Sequence, residues 1–338
     1  MSVHGWIILD KPVGLGSTQA VGAVKRNMRE AGYGKVKVGH GGTLDPLAEG
    51  VLPIALGEAT KLCGRMLDAS KIYEFTVKFG EQTDTLDAEG EVIATSDVRP
   101  TVAELEAVLP RFTGPIDQVP PVYSALKVDG KRAYDLARAG EEVELKTRAV
   151  TVHALEILPG TGRGTMRSMV EGQAPDGASL TGSAPPQVPL HRPGDGPPPR
   201  AGEDLAEITL VAHVSKGTYI RSLARDIALA LGTVGHVTML RRVKAGPFTL
   251  DQAISLDKLN EIGKGAPLED VILPLEAGLD DIPALDLSPE AVVAVRQGRV
   301  LTGMPQGDGL YWAKAGSVPV ALVELEAGTA KVVRGFNL

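Results

Sequence analysis

Residues 38–50, with the sequence VGHGGTLDPLAEG, are the stretch that most constrains how this chain can fold. Glycines such as Gly41 and Gly42 allow tight turns and the close approach of another molecule. Asp45 precedes Pro46, and an acid at the N-cap followed by proline at the first helical position is a local signal for a helix. The pattern therefore predicts a helix start here. It leaves two roles open for the Asp45 carboxylate, a helix cap or a reactive group on a loop that faces a ligand.

The chain is long and apolar enough for a globular protein of two domains. It has 338 residues, 43% of them hydrophobic, and no uninterrupted apolar run of bilayer length. The N-terminus lacks the charged and apolar regions of a signal peptide. Cys63 is the single cysteine, which excludes an internal disulfide and is typical of a reducing compartment. We therefore expect a cytoplasmic protein that does not cross a membrane.

The formal net charge of −7 argues against a general nucleic-acid coat protein, which is usually basic. A specific RNA enzyme can still be acidic when its cations are clustered. Each cluster is either an ordinary solvated face or part of an RNA-binding surface. The three clusters are Lys25, Arg26, Arg29, Lys35 and Lys37; Lys127, Lys131 and Arg132; and Arg241, Arg242 and Lys244.

Hydrophobic periodicity predicts alternating helices and strands in the first three quarters of the chain, and short strands thereafter. Helices are predicted at 17–29, 57–67, 101–109 and 254–262, and strands at 6–10, 72–79, 150–158 and 206–214, the last two as an antiparallel pair. The segment 159–203 between that pair is rich in glycine and proline and is predicted to be disordered. A small all-β region is predicted from residue 283, with strands at 292–295, 298–301, 311–312, 318–324 and 330–334.

Five motifs, in the same order along the chain, resemble those of the TruB family of bacterial tRNA pseudouridine-55 synthases. The central one is GHGGTLDPLA at residues 39–48, in which the aspartate, here Asp45, is the catalytic residue of the family. Gly41 departs from the family, which often has threonine there. The other motifs are LDKPVG at 9–14, KIY at 71–73, KGTYIR at 216–221 and LRR at 240–242, and the acidic run TDTLDAEG at 83–90 is a further family signature without assigned chemistry.

The resemblance implies an α+β fold with a mixed, mainly antiparallel sheet of pseudouridine-synthase type and flanking helices. It implies a catalytic domain over residues 1–275, interrupted by the insertion at 159–203. It also implies a small β-rich, PUA-like RNA-binding domain over 283–338. The run at 120–140 resembles a family segment that covers the RNA arm, and its local pattern is a loop followed by a short basic helix.

The resemblance also implies the catalytic residues. Asp45 is the essential carboxylate, and Arg221 is its partner. The ring of Tyr73 stacks on the target base and its hydroxyl handles a proton. On local pattern alone, Tyr73 is an ordinary strand aromatic and Arg221 is a cation on the surface of a helix.

Four further residues are implied as substrate-binding. Lys11 supports the floor of the site, and Tyr219 lies in the pocket. Leu240 packs against the flipped base, and His40 occupies the space that the base leaves. The alternatives are a plain core residue for Leu240 and an ordinary loop histidine for His40.

The implied function is the isomerisation of uridine to pseudouridine at position 55 in the TΨC loop of tRNA, by base flipping and the Asp45 carboxylate. The alternative is a tRNA-binding or RNA-folding module without catalysis. A nucleotide-binding enzyme is disfavoured because the chain lacks both glycine-rich phosphate motifs.

The implied partner is tRNA, through its T-arm, and we expect the protein to be a monomer. Leu47 and Ala48 after Pro46 favour the stand-alone enzymes over the relatives that depend on a guide RNA. We expect no cofactor, because the isomerisation involves no redox change. We expect no metal, because the six histidines show no ligand spacing.

Overall fold

The computed structural model describes residues 3–124, 126–128, 130–141, 143–159, 163–164 and 204–338. The strands, numbered in chain order, are β1 Gly5–Lys11, β2 Val38–His40, β3 Glu49–Leu56, β4 Lys71–Phe79, β5 Glu81–Thr83, β6 Val92–Thr95, β7 Gly114–Gln118, β8 Lys127–Val128, β9 Lys131–Arg132, β10 Arg148–Ile157, β11 Arg163–Gly164, β12 Leu205–Val214, β13 Gly235–Ala245, β14 Phe248–Thr249, β15 Ala284–Asp286, β16 Leu301–Thr302, β17 Gly309–Ala315, β18 Val318–Glu326 and β19 Thr329–Gly335.

The α-helices, also numbered in chain order, are α1 Ser17–Glu30, α2 Cys63–Asp68, α3 Val102–Val108, α4 Ala133–Arg138, α5 Ile220–Ala230, α6 Leu256–Gly263 and α7 Pro289–Arg296. Short segments of 3-10 helix lie at Gly57–Leu62, Leu109–Phe112, Leu250–Gln252, Leu268–Asp270 and Leu275–Leu279. The predicted α+β class with a mainly antiparallel sheet is confirmed.

The chain divides into two compact units. The first comprises Met1–Tyr73, His213–Gly217 and Leu240–Leu338, and the second comprises Glu74–Ala212 and Thr218–Met239. Three strands, β4, β12 and β13, contribute residues to both units. The predicted domain limits at 275 and 283 stay a prediction.

The sheet of the first unit is organised around β3. This strand is apolar along almost its whole length and is buried. It pairs antiparallel with β1 and β2 and parallel with β13. Helix α1 places Ala20, Val24 and Met28 on one face, and this stripe packs with apolar residues of β1, β3 and α6. Burial of such a stripe, rather than helix propensity, stabilises an amphipathic helix. The helix predicted at 17–29 is confirmed.

A five-stranded sheet in the order β15–β17–β18–β19–β16 forms the C-terminal part of the first unit, with its own apolar cluster. The strand predicted at 292–295 is wrong, because these residues belong to α7. Ser288 caps that helix, accepting a hydrogen bond at 3.3 Å from the Ala291 amide, and Pro289 occupies its first turn. The valines of this run suggested a strand, but they lie on the helix, where Val295 is buried in the apolar cluster of the five-stranded sheet.

The second unit contains strands in the order β13–β4–β12–β10–β7, with β10 antiparallel to β7. The strands predicted at 150–158 and 206–214 are neighbours, as β10 and β12. Helix α3 begins with a capping box, in which Thr101 and Glu104 exchange hydrogen bonds. Strands β8 and β9 pair antiparallel with each other, and α4 follows β9 directly.

Most of the insertion at 159–203 that was predicted to be disordered lies outside the described residues. Two of its residues form β11, which pairs with β12 at Arg163–Glu207 and Gly164–Leu205. The disorder predicted for the insertion stays a prediction. Within the described residues, no helix has the length and apolar character needed to span a bilayer.

Candidate active site

Asp45 lies on the loop that joins β2 to β3, and its side chain is partly exposed. The predicted helix at Asp45 is wrong, because residues 46–48 are irregular and β3 begins at Glu49. The residues immediately after the loop form β3, which pairs with β1 and β2. This tertiary pairing overrides the local Asp-Pro signal for a helix. The role of a helix cap for Asp45 is therefore excluded.

A buried arginine binds backbone carbonyls of the loop that carries Asp45. Arg242 on β13 is 1% exposed, and its Nη1 and Nη2 donate to the carbonyls of Thr43 at 3.2 Å and Gly42 at 3.4 Å. Its Nε donates to the Val51 carbonyl at 2.7 Å. Gly50 is necessary for this close approach, because its φ is +101° and a Cβ there would lie 2.2 Å from the Arg242 carbonyl oxygen.

Two more buried side chains fasten the loop at its other positions. The Ser17 hydroxyl, at the start of α1, donates to the Leu44 carbonyl at 2.9 Å and accepts from the Leu44 amide at 2.8 Å. The Lys11 ammonium is completely buried and donates to the carbonyls of Pro12 at 2.8 Å, Leu15 at 2.7 Å and Pro46 at 3.2 Å. These contacts bracket Asp45 at both neighbouring residues, so its backbone is held in place.

His40 ends β2 and is partly exposed. The Gly42 amide donates to its Nδ1 at 3.4 Å. Burial, and secondarily the nearby Arg242 guanidinium, lower the pKa of His40. The neutral imidazole is therefore favoured at neutral pH, which suits insertion into a space vacated by a base.

Tyr73 and Leu240 differ in exposure. On β4, the residues that share a face with Tyr73 are buried, whereas Tyr73 itself is only partly buried. Leu240 on β13 is 5% exposed, so it fits both a core role and a contact with a base. These two residues belong to the first unit, as do Lys11, His40 and Asp45.

Arg221 belongs to the second unit and is buried, so its interpretation as a surface cation is wrong. Its Nη1 donates to Asp87 Oδ2 at 3.0 Å and to the Thr85 carbonyl at 2.9 Å, and its Nη2 donates to the Tyr123 carbonyl at 3.0 Å. Its pairing with Asp45, a residue of the first unit, stays a prediction.

Asp87 is a functional candidate that the sequence reasoning did not assign. It is 3% exposed, and its Oδ1 accepts from the Thr85 hydroxyl at 2.6 Å and from the Glu89 amide at 3.0 Å. Its other oxygen binds Arg221. A buried carboxylate satisfied in this way can orient a guanidinium. The only signal in the sequence was the acidic run at 83–90.

Tyr219 is the N-cap residue of α5, and a second unassigned residue holds its backbone. Gln118 is completely buried, and its amide accepts from the Tyr219 amide at 2.8 Å and donates to the Tyr219 carbonyl at 3.1 Å. This reciprocal pair fixes the chain where it enters the helix that carries Arg221. A buried glutamine cannot be recognised from its neighbours in the chain, so no signal in the sequence pointed to Gln118.

The cation clusters differ in what they expose. The cluster at 241–244 is not a simple solvated face, because Arg242 is buried and Arg241 pairs with Asp10 at 2.9 Å and Glu49 at 3.1 Å. The hairpin β8–β9 and α4 instead expose four cations on one short segment. They are Lys127, Lys131, Arg132 and Arg138.

Family models match two parts of the chain. Residues 29–172 match the TruB family pseudouridylate synthase N-terminal domain, and residues 221–280 match the tRNA pseudouridylate synthase B C-terminal domain. A solved structure described as an H/ACA RNP bound to a substrate RNA containing 2′-deoxyuridine has the same fold. It is 23% identical, covers 99% of this chain and 85% of that one, and has a TM-score of 0.64.

Curated relatives match along almost the whole length. A tRNA pseudouridine synthase B of Novosphingobium aromaticivorans is 66% identical over 99% of this chain and 98% of that protein. The protein of the same name in Zymomonas mobilis subsp. mobilis is 52% identical over 99% of this chain and 97% of that protein. The similarity is therefore not confined to the motifs but covers 99% of the chain. The chain belongs to the TruB family of pseudouridylate synthases.

Proposed function

We propose that this protein isomerises uridine to pseudouridine at position 55 in the TΨC loop of tRNA. The observation that carries the proposal is the partly exposed Asp45 on a loop whose flanking carbonyls are bound by buried Arg242, Ser17 and Lys11. Preorganisation of this kind is what a reactive carboxylate requires. The printed names of the relatives, tRNA pseudouridine synthase B, support tRNA as the substrate.

The reaction breaks the bond between C1′ and N1 of the uridine, turns the base, and joins C1′ to C5. The proton on C5 leaves and N1 gains one, so atoms and electrons balance without a redox partner. In the proposal, the Asp45 carboxylate acts on the flipped nucleotide, and Arg221 is its partner, as the family resemblance implies. Tyr73 and Leu240 offset part of the few kcal/mol that extrusion of a base costs.

The proposal extends to the setting of the reaction. The protein acts in the cytoplasm as a monomer, without a guide RNA and without a cofactor or metal. Its catalytic domain spans 1–275 and its PUA-like domain spans 283–338. The single cysteine supports the cytoplasmic setting, and the Leu-Ala pair after Pro46 supports the independence from a guide RNA.

A tritium-release assay tests the function. Unmodified tRNA transcript carrying tritium at uridine C5 is incubated with the protein, and we expect release of about one tritium per tRNA at completion. A transcript with cytidine in place of uridine 55 is the matched control and should release none. Release that is unaffected by this replacement would contradict the position. Binding without release would favour the alternative, an RNA-folding module.

The exposed cations on β8, β9 and α4 give a prediction for binding. We expect the double variant Lys127→Gln/Arg132→Gln to weaken tRNA binding, because both side chains are exposed and can contact phosphates. The slope of log Kd against log salt should fall by about 1 for each cation removed. The measurement is filter binding between low and moderate salt.

The matched control for this prediction is Lys258→Gln, since Lys258 is exposed but pairs with Glu261 at 2.8 Å. It should leave both Kd and the slope unchanged. Equal salt slopes for wild type and the double variant would show that this segment does not contact the RNA backbone.

A further inference from the structure

Lys71 is a buried cation to which the mechanism so far gives no role. It is the first residue of β4 and is 7% exposed. Its Nζ donates to the carbonyls of Met66 at 3.0 Å, Leu67 at 2.7 Å and Ala69 at 2.5 Å. An ammonium has three N–H donors, so all of them are engaged. The acceptors lie at the C-terminal end of α2, where carbonyls lack helical partners and a positive charge is favourable.

The stem of Lys71 also lies against the loop that carries Asp45. Gly42 has a φ of +130°, and a Cβ built there would lie 4.0 Å from Lys71 Cε and 3.9 Å from Arg242 Nη1. Two buried cations therefore flank the bend in the loop. Arg242 binds the loop directly through the Gly42 carbonyl, whereas Lys71 binds the corner between α2 and β4 that packs beside it.

We propose that Lys71 is a positioning residue of the reaction. Its ammonium ties the end of α2 to the start of β4 and so holds Tyr73, two residues further on, in register with the loop of Asp45. The inference rests on the proposed function, since it concerns the same site. Lys71 does not itself contact the substrate in this role, because its three donors are bound to backbone carbonyls.

The charge of Lys71 makes this role sensitive to pH. Burial, and next the charge of Arg242, lower the pKa of Lys71 to about 8, with a small further decrease from Lys216 and an opposing increase from Asp68. The neutral amine keeps only two donors, so deprotonation releases one of the three carbonyls. The corner loosens as the pH rises through 8.

The stability of the folded protein should change with pH in the opposite direction to the activity. This contrast distinguishes a positioning role of Lys71 from a merely structural one. The unfolded chain holds the Lys71 proton up to about pH 10.4, whereas the folded protein releases it near 8. The unfolded state binds more protons in that window, so the contribution of Lys71 to stability rises with pH there. Activity should therefore fall over a pH range in which the titration of Lys71 makes the folded protein more stable.

The test compares kcat for tritium release between pH 7 and pH 10 in wild type and Lys71→Arg. A guanidinium stays charged throughout, so the ratio of variant to wild type should rise about tenfold from pH 7 to pH 9, as expected for loss of a proton with a pKa near 8. The use of a ratio cancels any titration of the substrate or of other groups. The control Lys258→Arg, at an exposed ion pair, should give a ratio that does not change with pH.

Lys71→Met supplies a second measurement at pH 7. We expect kcat to fall at least tenfold while KM for tRNA stays within about twofold, because no RNA contact is removed. A flat ratio for Lys71→Arg, or a Lys71→Met variant with normal kcat, would overturn the positioning role while leaving the proposed function intact. Absence of tritium release by the wild type at every pH would overturn both.

Discussion

Asp45→Asn should abolish tritium release from tRNA and leave the protein folded. An amide can act neither as a nucleophile nor as a base, and removal of such a group costs on the order of 10⁴-fold or more in rate. The loop should keep its shape, because Arg242, Ser17 and Lys11 hold it through backbone atoms. We expect the free energy of unfolding to change by about 1 kcal/mol or less. Single-turnover release and urea unfolding measure the two effects.

The exposed Asp97 offers a matched control for this prediction. Asp97→Asn makes the same chemical change away from the loop and should leave both rate and stability unchanged. An Asp45→Asn protein that releases tritium at the normal rate would refute the proposed mechanism. If it also refolded RNA as well as wild type, the non-catalytic alternative would be favoured.

Asp87→Ala should destabilise the protein by about 3–5 kcal/mol, because it removes the buried carboxylate that pairs with the buried Arg221 guanidinium. It should also reduce kcat, since Asp87 holds Arg221 in place. Urea unfolding of wild type, Asp87→Ala, Arg221→Met and the double variant gives the coupling between the two side chains. The double variant should lose less than the sum of the single changes, because it removes both charges.

The control for this cycle is Asp226→Ala. Asp226 forms an ion pair with Arg225 on the same helix, but both side chains are partly exposed. Such a pair contributes about 0–1 kcal/mol. A loss of less than about 1 kcal/mol for Asp87→Ala would show that the position of Arg221 does not depend on Asp87 and that Asp87 has no positioning role.

Local pattern predicted the elements that are stabilised by burial of one face. The apolar run of β1, the period-two alternation of β4 and the helical stripe of α1 are all found near the predicted limits. The same reasoning failed where two local signals competed. Residues 292–295 have high strand propensity, but the Ser288–Pro289 cap precedes them and the helix α7 forms.

The site divides in the same way. The motif with Asp45 and the family resemblance were evident in the sequence, and the comparisons confirm the family. The helix predicted at Asp45 was wrong, because a partner strand determines the conformation of the following residues. The buried partners of the two arginines could not be predicted from the sequence, because Asp87 lies 134 residues from Arg221 and Val51 lies 191 residues from Arg242.

The amino-acid sequence by itself determined the family, the α+β class, the motif residues and most element positions, because these depend on residue identity and on spacing along the chain. Only the tertiary structure decided which charges are buried and which carbonyls they bind. Burial and ion pairing depend on residues that approach through folding, and a cation such as Arg221, Arg242 or Lys71 has the same local signature at the surface and in the core. That difference decides whether a cation contacts solvent or binds backbone carbonyls in the interior.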